Sequence, residues 1–160
     1  MTLIVDANVL IDYADTDLSV LAIYSSHIDP IRVPRAVVDE VEQMDPSDFA
    51  NHELEIVEEP LEIAMAASER RGGLSYPDRV CLLLAQRTGA ICVTNEKPLL
   101  ARCAETGIES KRGLRLMIDL VETGLLSAGA ADEVGTAIHR ANPFFINDTV
   151  LEEFRRAIRK

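Results

Sequence analysis

The chain has 160 residues, of which 48% are apolar, and it carries a formal net charge of −11. This length and composition fit a single globular domain over residues 1–160 that has its own core. Residues 1–80 carry 17 acids against 5 Lys or Arg, whereas residues 81–160 carry 10 against 11. The acidic half argues against strong non-specific binding to a phosphate backbone. A nuclease is not excluded, because an acidic site that holds divalent cations presents a different charge to its substrate.

The apolar residues are distributed in short runs, and none approaches the roughly 18 residues that a membrane span requires. The three cysteines, Cys81, Cys92 and Cys103, lie inside apolar segments and lack C-x-x-C spacing. Buried reduced thiols explain them best. We therefore expect a soluble cytoplasmic protein without membrane contacts.

Short apolar stretches alternate with segments of helical periodicity along the chain. Asn8 can cap a helix through Tyr13, Pro34 suits a first helical residue, and Ser75 can cap a strongly apolar helix that Gly89 ends. The pattern predicts strands at 2–6, 31–33, 54–57, 90–94 and 108–110, a turn at 45–48, and helices at 8–13, 18–28, 34 through 41, 60–71, 76–88, 96–106, 114–123, 128–140 and from 148 to near the end. Strands that alternate with helices indicate an α/β fold with a parallel sheet.

Four carboxylates stand at or near predicted strand-to-helix junctions, namely Asp6, Glu40, Asp78 and Glu96. In an open parallel sheet such junctions gather in one crevice at the carboxyl ends of the strands. Carboxylates crowded there repel one another and need a cation. The sequence therefore predicts a metal-dependent site for hydrolysis or phosphotransfer.

Each of these acids also has a local explanation. Glu40 is similar to other acids on its helix and can be a solvated charge. Asp78 stands at capping-box spacing after a serine, and Glu96 favours a first helical turn electrostatically. Asp6 is the hardest to explain locally, because Asn8 is the better-placed cap. The order of the four acids along the chain, and not any one of them, carries the prediction.

Four segments in this order resemble the PIN domain family of metal-dependent ribonucleases. They are VDANVLI at 5–11, VPRAVVDEV at 33–41, LSYPDRVCLLLA at 74–85 and VTNEKPL at 93–99. The resemblance covers about residues 2–105. It implies a three-layer α/β/α core over about 2–110, with a mainly parallel sheet of about four or five strands. The remaining residues, about 112–160, resemble the helical C-terminal extension of a bacterial and archaeal branch of the family.

The resemblance also implies roles for particular residues. Asp6, Glu40 and Asp78 correspond to three metal-site acids, Glu96 to a fourth that is more often Asp, and Asn8 and Thr94 to neighbours that position substrate. Oxygen ligands of this kind suit Mg²⁺ or Mn²⁺. Members of the family cut RNA, many prokaryotic ones are toxins held inactive by an antitoxin protein, and a homodimer is expected.

Two other classes of protein share part of the pattern. A phospho-acceptor receiver domain needs an acceptor Asp after its central strand and paired acids at the first strand, where this chain has Glu58 and Asp6 alone. A PIN-fold module that binds RNA or protein without catalysis fits Glu96 and the acidic first half. The basic patch of Lys111, Arg112 and Arg115 can serve RNA or an acidic partner.

Overall fold

The core of the fold is a five-stranded sheet in which every strand pairing is parallel. The structure is a computed structural model and describes residues 1–69 and 72–160. Its strands are β1 Leu3–Val5, β2 Ile31–Pro34, β3 Leu54–Val57, β4 Ile91–Val93 and β5 Ser110–Lys111, in the spatial order β3-β2-β1-β4-β5. The predicted α/β fold with a parallel sheet of four or five strands is confirmed.

The two central strands are buried along their whole length. Every residue of β1 and β4 is inaccessible or nearly so, and Leu3 is paired with Ile31 on one side and Ile91 on the other. Strands that are apolar at every position are typical of a parallel sheet covered on both faces. The burial explains why no polar residue precedes Asp6 in β1.

The strand order reverses beside β1. The chain builds β1, β2 and β3 outward in one direction and then returns to place β4 on the other side of β1. In open α/β sheets, the crevice outside the carboxyl ends of the strands at such a reversal is the usual place for a ligand. The residues that directly follow β1 and β4 therefore lie at the edge of this crevice.

The described residues form ten helices, α1 Ala7–Ala14, α2 Ser19–His27, α3 Arg35–Val38, α4 Pro46–Asn51, α5 Leu61–Ser68, α6 Tyr76–Thr88, α7 Lys97–Glu105, α8 Arg115–Glu122, α9 Ala128–Ala141 and α10 Asp148–Ile158. Eight of them form two groups. One group contains α6, which packs against β1, β2 and β4, with α3, α5 and α7 beside it. In the other group α2 packs against β2 and β3, and α8 joins it to α9 and α10. None of these helices has both the length and the hydrophobicity needed to cross a membrane.

The helix predicted from Pro34 through Val41 is much shorter in the structure. Pro34 is the last residue of β2, where it is paired with Val57, and α3 then makes a single turn that ends at Val38. The following backbone hydrogen bonds span three residues instead of four, and they carry Val41 into the core. Glu40 is left exposed in this turn.

Two further local predictions differ from the structure or extend past it. Residues 45–48, predicted as a turn, begin α4, because the Asp48 carboxylate accepts a hydrogen bond from the Asp45 N–H at 2.8 Å in a capping box. Pro46 occupies the first helical position, where a missing N–H costs nothing. The helix predicted at 60–71 was expected to end at Arg71, which lies outside the described residues.

The C-terminal helices share the apolar core with the rest of the protein. Ile138 of α9 and Leu151, Phe154 and Ile158 of α10 are all buried. The two helices approach closely at Gly135, where a Cβ atom would lie 2.5 Å from Cε2 of the Phe154 ring. A glycine is therefore needed there for α10 to dock.

We expect Gly135→Ala to lower the free energy of unfolding by about 1–3 kcal/mol, because the added methyl group overpacks the buried Phe154 ring. Gly129→Ala on the same helix is the matched control, since nothing lies within 4 Å of its Cβ position. The control should raise the free energy of unfolding by up to about 1 kcal/mol through helix propensity. Chemical denaturation measures both, and equal stabilisation by the two substitutions would contradict the described packing of α9 on α10.

Candidate metal centre

Asp6 is the residue that joins the central strand to the first helix. It precedes α1 with extended backbone angles, and its Oδ1 accepts a hydrogen bond from the Val9 N–H at 3.0 Å. Its Oδ2 accepts a second hydrogen bond from Oγ1 of Thr94, at the end of β4. The side chain is only 1% exposed. Asp6, and not Asn8 as predicted, is therefore the N-cap of α1, because Asn8 already lies inside the helix.

Asn8 and Thr94 contact the carboxylates of this region. Asn8 lies in the first turn of α1 and its Nδ2 donates to Oε1 of Glu96 at 2.5 Å. Thr94 Oγ1 donates to Asp6 and accepts from the Glu96 N–H at 3.1 Å. The two side chains thus fix the positions of Asp6 and Glu96 relative to each other. The predicted role of Asn8 and Thr94 in positioning substrate stays a prediction.

Asp78 lies at the start of α6 and beside Glu96, so a position in the cap and a position in the site are compatible, as the sequence predicts. It lies in the first turn of α6, and its N–H donates to Oγ of Ser75 at 3.3 Å, so Ser75 is the predicted cap. Its carboxylate meanwhile approaches Glu96 closely enough for a hydrogen bond when one of the two is protonated. The cation next to it, Arg79, donates instead to the backbone carbonyls of Ala67 and Leu74.

Three of the four predicted acids meet in one cluster. Asp6, Asp78 and Glu96 each offer a carboxylate oxygen, and these oxygens all lie within 4.8 Å of one another. Glu40 is not in the cluster, since it lies exposed in the turn after α3. Within residues 1–69 and 72–160 no Lys, Arg or His forms an ion pair with any of the three acids. Among the described residues, their negative charge is therefore left without a basic side-chain partner.

Burial makes this uncompensated charge costly. It raises the pKa of Asp6 to about 7, although the hydrogen bonds from Thr94 and Val9 oppose the change. The pKa of Asp78 rises to about 8, first because of burial and then because of the neighbouring Glu96 carboxylate. Without a cation the cluster holds protons near neutral pH that ordinary carboxylates have lost.

The chemistry of the cluster fits a hard divalent cation. The three ligands offered are all carboxylate oxygens, with no His or Cys among them. Mg²⁺ and Mn²⁺ favour such oxygen sites and bind through a few carboxylates while keeping several waters. The three cysteines are buried and free. A cation at the cluster would supply the missing positive charge and remove the cost of ionising Asp6 and Asp78.

One buried acid near the site was missed by the sequence analysis. Asp12 is 7% exposed, and its carboxylate accepts hydrogen bonds from Nδ2 of Asn142 at 2.9 Å and from Nδ2 of Asn95 at 3.5 Å. Asn95 Oδ1 in turn accepts from the Gly113 N–H at 2.9 Å. This network holds the turn between Thr94 and Glu96 against α1 and the end of α9. The apolar neighbours of Asp12 on either side were the only sequence signal of its burial.

A cleft of about 990 Å³ opens beside the cluster. Asp78 and Glu96 line one part of it, and the loop that carries Phe144 and Phe145 lines another. Two cations, Lys97 and Arg112, also face it. The carboxylate cluster is therefore open to a ligand from one side, while Asp6 forms its buried end.

Comparisons with known proteins agree with the fold. A family model described as a PIN domain matches residues 2–160. The solved structure of a PilT N-terminus domain protein from the hyperthermophilic archaeon Sulfolobus solfataricus P2 is similar, with a TM-score of 0.53 and 10% sequence identity over 74% of this chain and 92% of that chain. At this identity the likeness concerns the fold alone. No curated protein sequence matches the chain.

The raised pKa values predict how stability depends on pH when metal is chelated. Between about pH 4, where Asp6 ionises in the unfolded chain, and about pH 7, where it ionises in the folded protein, the folded state binds more protons. The free energy of unfolding should therefore fall as the pH rises through this window. Asp6→Asn keeps a capping side chain but cannot ionise, so the fall should be smaller by on the order of 4 kcal/mol.

Urea denaturation in EDTA at intervals between pH 4 and pH 8 measures this difference. Asp39→Asn is the control, because it removes an exposed carboxylate outside the cluster, and it should leave the slope unchanged. A wild-type protein and an Asp6→Asn variant with the same pH dependence would contradict a buried, uncompensated carboxylate at this position.

Proposed function

Because the chain belongs to the PIN domain family, we propose that it is a metal-dependent ribonuclease that hydrolyses RNA phosphodiesters. Members of this family are generally nucleases that use divalent metals. The observation that carries the proposal is the cluster of Asp6, Asp78 and Glu96, which come from three separate parts of the chain and meet without an ion-pair partner among the described residues. The crevice at the strand-order reversal is where an α/β fold binds its ligand.

Some residues of the site would bind the metal, and others hold these ligands in position. Asp6, Asp78 and Glu96 would hold Mg²⁺ or Mn²⁺, which when bound would polarise the phosphate and lower the pKa of a water. Thr94 holds Asp6 through its hydroxyl, and Asn8 holds Glu96 through its amide. In hydrolysis, the water oxygen forms a bond to phosphorus as the phosphorus–oxygen bond of the leaving nucleotide breaks. A carboxylate of the cluster would take the proton of that water.

The presence of Glu96 where the family more often has Asp favours a binding module without catalysis as the second candidate. Its longer side chain nevertheless reaches the cluster, where Asn8 donates to its carboxylate, while the Thr94 hydroxyl accepts from its backbone N–H. We therefore favour the active enzyme. We further propose that it acts in the cytoplasm as a homodimer and as the toxin of a toxin–antitoxin pair, which rests on the sequence resemblance.

We expect the purified protein to cleave mixed single-stranded RNA in Mn²⁺ or Mg²⁺ and to stop in EDTA. Asp6→Asn and Asp78→Asn should each lower the rate by at least about 100-fold, because even the supporting partners of metal ligands contribute about 10- to 100-fold. Glu40→Gln should lower it less than either, since Glu40 lies outside the cluster. Gel analysis of end-labelled RNA measures all four rates.

Asp39→Asn serves as the control and should cleave like the wild type. Cleavage that survives in both Asp6→Asn and Asp78→Asn would mean that a contaminating nuclease produced it. If the folded wild-type protein cleaved RNA neither in Mn²⁺ nor in Mg²⁺, the proposal of a ribonuclease would be wrong and the binding module would be the remaining candidate.

A further inference from the structure

Phe144 is the most exposed large apolar side chain of the described residues, and it lies in the cleft beside the acid cluster. It is 84% exposed, compared with 73% for Leu61 and 64% for Met65 on α5. Single exposed apolar residues are common and need no explanation. Phe144 differs from Leu61 and Met65 because it lines the same cleft as Asp78 and Glu96.

The loop that carries Phe144 is fixed at both ends. Before it, the Asn142 side chain donates to the buried Asp12. After it, Ile146 is buried, and its carbonyl lies 2.5 Å from Nδ1 of His139. Asn147 then caps α10 through the Val150 N–H at 2.9 Å. Phe144 is therefore held outward by a well-anchored backbone.

The neighbouring ring leaves Phe144 free to stack. Phe145 is half-buried, and the two rings meet at 89° with their centroids 5.1 Å apart. An edge-to-face pair of this kind is a favourable aromatic contact. It also leaves at least one flat face of Phe144 uncovered, in agreement with its exposure.

The lining of the cleft carries two cations as well as three acids. Lys97 and Arg112 line it, both are exposed, and neither forms an ion pair within the described part of the chain. The other two cations of the basic patch, Lys111 and Arg115, are paired with Asp119 at 2.9 and 3.0 Å. Glu153 is a further acid on the same lining. Phosphates can therefore reach two unpaired cations in the same cleft that exposes the Phe144 ring.

We propose that Phe144 is a stacking platform for an unpaired nucleobase of single-stranded RNA, with Lys97 and Arg112 binding the flanking phosphates. The proposal rests on the proposed ribonuclease and adds a base-binding residue beside its carboxylate cluster. Bases of a duplex are stacked on one another and cannot offer a face to a protein ring, whereas unpaired bases stack readily on aromatic side chains. Cations beside such a ring follow the backbone, as in other single-strand sites.

The chain contains no tryptophan, so Phe144→Trp creates a single fluorescent reporter in the cleft. A single-stranded RNA oligonucleotide should quench its emission, and the same oligonucleotide in a duplex should not. Leu61→Trp is the matched control, since Leu61 is similarly exposed on α5 and does not line the cleft. Its emission should not change with either RNA. Ca²⁺ replaces Mn²⁺ in these titrations, and a gel verifies that the RNA stays intact.

Affinity provides the second measurement. Phe144→Ala should weaken binding of the labelled single strand by about 5- to 150-fold, as stacking on an aromatic side chain implies. Phe144→Tyr keeps the ring and should bind like the wild type. Leu61→Ala should also bind like the wild type, and thermal unfolding verifies that all four proteins are folded.

The results separate this proposal from the ribonuclease itself. Binding of the single strand without quenching, equal quenching by the duplex, or an unchanged affinity in Phe144→Ala would each overturn the stacking platform. Unchanged emission with every RNA would overturn it as well and would favour a protein segment as the occupant of the cleft. Metal-dependent cleavage by the wild type decides the ribonuclease independently of all these outcomes.

Discussion

The structure of the site depends on the two hydrogen bonds that the Asp6 carboxylate accepts. One comes from the Val9 N–H and begins α1, and the other comes from the Thr94 hydroxyl at the end of β4. These bonds link the central strand, the first helix and the strand on the far side of the order reversal. The same Thr94 oxygen accepts from the Glu96 N–H, so the position of Glu96 follows from that of Asp6. Helix capping and site assembly are therefore one arrangement.

This arrangement carries an electrostatic cost that a cation would offset. Three carboxylates share a small, partly buried space, and no basic side chain of the described residues pairs with them. Arg79, the nearest cation in sequence to Asp78, binds backbone carbonyls instead. A fold that needed Asp6 only as a cap could have used Asn or Ser at the same position. Three close carboxylates, one of them buried, are the physical reason to infer a metal site.

The fold and three acids of the cluster were predictable from the sequence, whereas the hydrogen bonds and helix ends around these acids were less so. Buried apolar strands followed by acids indicate a parallel sheet and its crevice. Each strand and the acid after it are adjacent in the sequence, so the pattern is visible without the structure. Asn8 was assigned the cap because propensity alone cannot show that Asp6 has the extended backbone before α1. Periodicity predicts a helix that includes Glu40. In the structure this helix ends at Val38, and the turn that follows carries Val41 into the core. Asp12 was missed because its partners Asn95 and Asn142 are distant in the sequence.

The central claim is that Asp6, Asp78 and Glu96 bind one divalent cation together. Crystals soaked in Mn²⁺ and measured at the manganese absorption edge test it most directly, because anomalous scattering locates the ion itself. The account predicts an anomalous peak within about 2.0–2.3 Å of carboxylate oxygens of these residues, and its loss in Asp6→Asn crystals. No peak at the cluster, or a peak only at other surface acids, would contradict it.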